Sequence, residues 1–171
     1  MSRKFLVAYA TRTGTTAEIA ETIARTLAAR GEAVDVRLVQ DVTDLGLYDG
    51  VLLGSAVRFG QWLPEAQKFV EAHRAGLGRR PTAIFTVHGL NLGDDETSLS
   101  QRQAYLTGVR KFVHARSEGF FAGKIDLSKL KFFERILAKA LKATGASLLD
   151  LAAVRAWAED AYGKFLATGV A

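Results

Sequence analysis

The spacing of apolar positions changes repeatedly along the chain, from short unbroken runs to a repeat near 3.6, and each change marks an element. Lys4 to Tyr9 is a run of apolar and β-favouring residues, as in a strand covered on both faces. From Ala17, the positions Ile19, Ala20, Ile23, Ala24, Leu27 and Ala28 recur at helical spacing, opposite Glu18, Glu21 and Arg25, until Gly31 stops the helix. Val34 to Leu38 predicts a second strand, and Val51 to Gly54, after the turn at Tyr48, Asp49 and Gly50, a third. Pro64 opens a helix to about His73, and Thr82 to Val87 reads as a fourth strand. A helix from about Ser98 to His114 and a fifth strand at Gly119 to Ala122 follow. Two more helices, about Leu130 to Thr144 and Asp150 to Leu166, are parted by Gly145.

Strands alternating with helices from end to end predict an α/β fold: a doubly wound, five-stranded parallel sheet with helices on both faces. In such sheets ligands bind beyond the carboxyl ends of the strands, where strand order reverses. The loops after strands one, three and four are therefore the places to look for chemistry.

Composition narrows the classes. The 171 residues suffice for one domain, expected to span 1–171, and no repeat or linker divides them. Cysteine is absent, which removes disulfides, thiolate metal sites, iron–sulfur clusters and cysteine nucleophiles, so redox chemistry would need a bound cofactor. The apolar run Phe5 to Ala10 is short for a secretory signal, and no stretch approaches the roughly 20 apolar residues that span a bilayer. The expected compartment is the cytoplasm. The net charge of +5 suits anionic partners, yet no dense basic run is interleaved with aromatics, so nucleic acid is not expected.

The first loop, Thr11, Arg12, Thr13, Gly14, Thr15 and Thr16, gathers four hydroxyls and a flexible glycine at a helix N-terminus. Free backbone N–H groups, the helix dipole and hydroxyl donors together make an anion site. It has neither the Gly-Lys-Ser/Thr ending of a nucleoside-triphosphate loop nor G-x-G-x-x-G, and a monophosphate held by neutral donors fits best. The second loop runs Gly54, Ser55, Ala56, Val57, Arg58, Phe59, Gly60, Gln61, Trp62, Leu63, Pro64. Its aromatics and glycines can meet a flat ring, with Phe59 the stacking candidate and Trp62 either a ring contact or a packing residue. Arg58 could stabilise an anionic reduced ring, bind an acidic substrate, or be a solvated charge. The third loop carries His88, Gly89, Leu90, Asn91, Leu92 and Gly93, followed by Asp94, Asp95 and Glu96. His88 is a candidate proton donor or acceptor, or a structural histidine. The acids read as helix caps in preference to metal ligands, and no metal site is expected.

The first loop resembles that of the flavodoxin family, T/S-x-T-G-x-T, matched by Thr11, Thr13, Gly14 and Thr16. The resemblance implies strand order 2-1-3-4-5 and an FMN whose phosphate sits on Thr11 to Thr16. It places the ring against Ser55 to Gly60 and Trp62 on one side and against His88 to Asn91 and Gly93 on the other. More narrowly, Gly54 to Gly60, the helix Leu63 to His73, the string Phe132-Phe133-Glu134-Arg135 and Trp157 look like the flavodoxin-type, menaquinone-dependent protoporphyrinogen dehydrogenases. That likeness implies an FMN oxidoreductase that oxidises protoporphyrinogen IX and passes electrons to a quinone; it names no catalytic residue, and the candidates remain Arg58 and His88, on their own side-chain chemistry. Two segments depart from it: Lys124 to Lys131 lacks a Tyr/Arg-rich stretch, and His88 to Gln101 is less basic. A shuttle flavodoxin without its own substrate and an NAD(P)H-quinone reductase are the rival readings, although shuttles are typically acidic and this chain is basic. Lys124 to Lys142 carries Lys129, Lys131, Arg135, Lys139 and Lys142 around Leu130, Phe133, Ile136, Leu137 and Leu141, and reads as a peripheral contact with an anionic membrane, as a surface for the propionates of a porphyrin, or as a core helix with a charged face.

Overall fold

The computed structural model describes residues 2–123, 132, 136 and 149–167. Strand β1 (Lys4–Ala10) leads into helix α1 (Thr15–Ala28), β2 (Ala33–Leu38), β3 (Gly50–Arg58) and a short β4 (Gln61–Trp62). Helices α2 (Pro64–Ala72) and α3 (Arg74–Gly78), β5 (Thr82–His88), α4 (Glu96–Ala104), β6 (Ser117–Ala122) and α5 (Leu151–Ala167) follow. The parallel sheet runs β2-β1-β3-β5-β6, the expected order once β4 is set aside as an antiparallel hairpin partner of β3.

Both faces of the sheet are covered, and β1 shows why its sequence is a continuous apolar run. Phe5 and Val7 pack under α1 and α5 with Ile19, Ile23, Leu27, Val154 and Phe165. Leu6 and Ala8 point the other way, into a core with Trp62, Leu63, Val70, Leu77 and Leu106. The chain leaves β1 for β2 on one side and returns to β3 on the other, so strand order reverses between β1 and β3. The crevice at their carboxyl ends is the position where doubly wound sheets take ligands. Gly54 keeps β3 close to β5: a Cβ there would lie 2.0 Å from the Phe85 ring.

Three features differ from expectation. β3 extends through Arg58, so the aromatic-rich segment after Gly54 is the end of a strand and a tight hairpin, not a loop. The helix expected from Pro64 to about His73 is α2, and what the pattern does not predict is the short α3 that follows it. The helix expected from Ser98 to His114 ends at Ala104 and gives way to turns and a 3₁₀ turn at Val109–Lys111. No residue of α4 is buried, whereas Tyr105, Leu106, Val109 and Val113 are. The apolar positions thus begin where the helix stops, and Gly108 disfavours its continuation.

The two late helices fare differently. α5 matches Asp150 to Leu166 within a residue. The helix expected over Leu130 to Thr144, and with it the basic amphipathic segment Lys124 to Lys142, lies outside the described residues apart from Phe132 and Ile136, which are helical and exposed. Among the described residues no helix is long and apolar enough to cross a membrane.

Candidate functional site

The β1–α1 turn is built locally. Gly14 is the N-cap of α1 at φ 89°, in the left-handed region that favours glycine, and its N–H donates to Thr11 Oγ1 at 3.0 Å. No side chain caps the helix, so the first-turn N–H groups keep their capacity for an anion. Thr15 and Thr16 are buried, and Thr15 Oγ1 has no hydrogen-bond partner. A sealed hydroxyl without a partner costs about 1–3 kcal/mol, an expense that a bound acceptor would remove. Arg12, the one cation of the turn, is committed elsewhere. Its guanidinium makes two bonds to the Glu65 carboxylate on α2, that from Nη2 to Oε2 measuring 2.9 Å. This pairing raises the Arg12 pKa and holds the Glu65 carboxyl below its usual range. The anion site is consequently lined by neutral donors.

The second wall is the β3–β4 hairpin. Val57 pairs with Trp62 and Arg58 with Gln61, leaving Phe59 and Gly60 as a two-residue turn with φ of 53° and 73°. Positive φ at both positions is the signature of a type I′ hairpin, which matches the twist of its strands. A bulky Phe in that region is an outlier that costs about 1–2 kcal/mol. Its ring is 90% exposed at the cavity mouth, with the Arg58 guanidinium carbon 5.3 Å from the ring centroid. Ser55 is fully buried behind the wall, where its Oγ donates to Ala56 O at 2.8 Å and accepts from Leu63 N at 3.0 Å. Trp62 lies off the cavity: it is 1% exposed and its Nε1 donates to Thr86 Oγ1 at 3.0 Å. The structure makes it a packing residue.

The third wall is held from a distance. Arg102 Nη1 on α4 donates to Asn91 O at 2.6 Å and Gly93 O at 2.7 Å. Asn91, at φ 56°, donates through Nδ2 to the Tyr105 hydroxyl at 2.6 Å. His88 ends β5 and is 5% exposed, with Nδ1 2.7 Å from Leu90 O. Since a carbonyl only accepts, Nδ1 carries the proton. Burial lowers the His88 pKa most, the Leu90 carbonyl opposes this, and the Arg102 charge lowers it further. Asp95 caps α4, its Oδ2 accepting from Ser98 N at 3.0 Å, which is the role expected of the acidic run.

The three walls enclose a cavity of about 620 Å³ at the carboxyl ends of β1, β3 and β5. Of the residues expected from sequence, Arg12, Thr13, Thr15, Thr16, Ala56 to Gly60 and His88 to Asn91 line it. Thr11, Gly14, Ser55, Trp62 and Gly93 do not; all but Trp62 shape the walls from behind. Leu63, Val87, Gln101, Tyr105 and Gly123 also line the cavity and were missed, as were the positioning residues Glu65 and Arg102. Arg102 and Tyr105 follow the third loop at helical spacing, a signal legible only once that loop is known to fold back on α4.

The model of the family described as flavodoxin domain matches residues 6–147, and the chain belongs to that family. A protoporphyrinogen IX dehydrogenase (quinone) of Leishmania major is 32% identical over 93% of this chain and 74% of its own. The enzyme of the same name from Escherichia coli K12 is 28% identical over 81% of this chain and 78% of its own. Among solved structures, oxidised flavodoxin 2 from Bacillus cereus superposes with a TM-score of 0.58 over 95% of this chain and 99% of its own, at 19% identity. That likeness fixes the fold.

Proposed function

We propose that this flavodoxin-domain protein binds FMN in the cavity and oxidises protoporphyrinogen IX, with a quinone as electron acceptor. The observation that carries the FMN reading is the unpartnered, buried Thr15 hydroxyl at an uncapped helix N-terminus, beside a cavity of the size small-molecule sites have. The substrate reading rests on the two relatives of that name, which align with most of this chain.

Bound there, FMN supplies a two-electron acceptor that can pass electrons on to a second substrate. The protein's own residues do the rest. Thr11 and Gly14 hold the turn in shape, while the first N–H groups of α1 and the hydroxyls of Thr13, Thr15 and Thr16 take the phosphate. Ala56 to Gly60 and His88 to Asn91 flank the ring and exclude water from its faces. Arg58 sets a positive charge at the mouth, where the carboxylates of an acidic substrate arrive. Gly89, without a side chain, lets backbone approach the ring edge.

The test is anaerobic turnover. FMN-loaded protein given protoporphyrinogen IX and menaquinone should form porphyrin and reduced quinone, with the flavin spectrum bleaching when quinone is withheld. FMN-loaded protein that leaves porphyrinogen untouched but is reduced quickly by NADH would overturn the substrate assignment.

A further inference from the structure

Besides the phosphate turn and the ring-flanking backbone, the cavity is lined by His88, a side chain whose chemistry the functional reading leaves unused. His88 presents two nitrogens in different circumstances. Nδ1 is tied to Leu90 O at 2.7 Å and so carries the ring proton. Nε2 has no hydrogen-bond partner among the described residues. The sealed and unbonded side-chain polar atoms among those residues are Thr15 Oγ1 and Trp157 Nε1. Nε2 is unbonded but not sealed, and the open space that His88 lines is the cavity. The ring therefore offers the cavity a lone pair, fixed in direction by the bond on its far side.

The surroundings keep that lone pair free. From α4 and its end come the Arg102 cation and the Tyr105 ring, whose centroid is 5.9 Å away. From β6 comes Phe120, at 6.3 Å. Across the cavity stand Arg58 on the hairpin and Arg12, itself paired with Glu65. No carboxylate lines the cavity among the described residues. The other polar side chains there are hydroxyls, amides, a phenol and guanidinium groups, none of them a base near neutral pH. Burial and positive neighbours both favour the neutral imidazole, in keeping with its lowered pKa.

We infer that His88 Nε2 is the proton acceptor of the oxidation, an assignment that rests on the functional reading above. When a reduced tetrapyrrole loses hydride from a bridging carbon, both electrons of that C–H bond leave to the flavin, which is the oxidant. The adjoining pyrrole nitrogen then gives its proton to Nε2, and the electron pair of the broken N–H bond completes the conjugated double bonds of the product. One hydride and one proton leave the substrate. The imidazolium formed meets no carboxylate among the described residues that line the cavity and passes its proton to solvent before the next cycle.

Two substitutions separate this role from packing. In His88→Asn the side-chain amide can still donate to Leu90 O from near the Nδ1 position, but no base remains. In His88→Gln the amide reaches the Nε2 position, again without basicity. With each variant saturated with FMN, so that any change in flavin affinity is set aside, anaerobic turnover should fall about 100-fold or more and the acid limb of the kcat/KM profile disappear. Nitrogen NMR of FMN-loaded wild type, labelled at histidine, gives a readout independent of activity. Nε2 should be unprotonated at neutral pH and take up a proton on acidification in step with the loss of rate. Wild-type rates and pH profile in His88→Asn, or a proton on Nε2 and none on Nδ1 at neutral pH, would overturn the assignment. Wild type that binds FMN yet never oxidises porphyrinogen overturns the functional reading instead, and the two failures are distinguishable.

Discussion

The two ends of the cavity are made in opposite ways. At the phosphate end, Thr11 to Thr16 fold into a turn through a contact three residues long, and the turn finishes with donors to spare. At the ring end, the walls are shaped by residues far along the chain: Leu63 bonds back to Ser55, Arg102 reaches Asn91 and Gly93, and Tyr105 takes Asn91. The lesson concerns where conformational freedom is spent. A short anion-binding turn costs little to order and is ready before its ligand arrives, whereas a wide surface for a flat ring must be propped from elsewhere.

That contrast breaks most sharply at Thr15. Replacing its unpartnered hydroxyl with a methyl of similar shape, in Thr15→Val, should stabilise the ligand-free protein by about 1–3 kcal/mol, because a sealed orphan group disappears. The same change should weaken FMN binding about 10- to 100-fold, the worth of a hydrogen bond to a charged group. Urea denaturation and FMN fluorescence titration read the two opposite signs. At the ring end the signs should agree. Arg102→Ala removes the two bonds that Nη1 makes to the third loop, and should cost about 1–2 kcal/mol of stability and loosen FMN severalfold. Hydrogen exchange should quicken in residues 89–95 and hardly at all in the Thr11–Thr16 turn.

Phe59 sharpens the comparison further. Phe59→Gly relieves a left-handed conformation and should raise the stability of the ligand-free protein by about 1 kcal/mol, while slowing turnover through loss of the exposed ring. The smallest effect is the pH dependence of His88. Its pKa is lowered in the folded state, so the unfolded chain binds more protons as pH falls below about 6.5, the ordinary histidine value. Stability should hold above that point and decline below it. Denaturation midpoints from pH 8 to 5 should show the decline in wild type and a flatter line in His88→Asn.

The same asymmetry decides how much the sequence discloses. The layered fold is legible because β1 alternates between two cores and α1 repeats at 3.6, signals contained within a few residues. The phosphate turn is legible for the same reason. The hairpin is not: a type I′ turn is ordinarily marked by Asn-Gly or Asp-Gly, and here Phe59 occupies the first central position against its own preference. Arg102 is silent because it sits on a helix that buries nothing and so shows no apolar stripe. Glu65 is silent because an acid in the first turn of a helix already has an adequate explanation in the dipole, and only the fold reveals that it takes Arg12 out of the anion site. Trp62 misleads in the other direction, since an aromatic beside a ligand loop looks like a ring contact until Thr86 is found under its N–H.

On the proposed function, a neutral, hydroxyl-lined turn holds a phosphate monoester and thereby anchors the ring. Parallel titration of ligand-free protein with FMN and with riboflavin, at low and high salt, tests it most directly. FMN should bind saturably and at least about 10-fold tighter than riboflavin, the least a hydrogen bond to a charged group is worth, with only a shallow salt dependence because Arg12 is already paired. Equal affinity for the two, or an FMN preference that vanishes in salt, would contradict it.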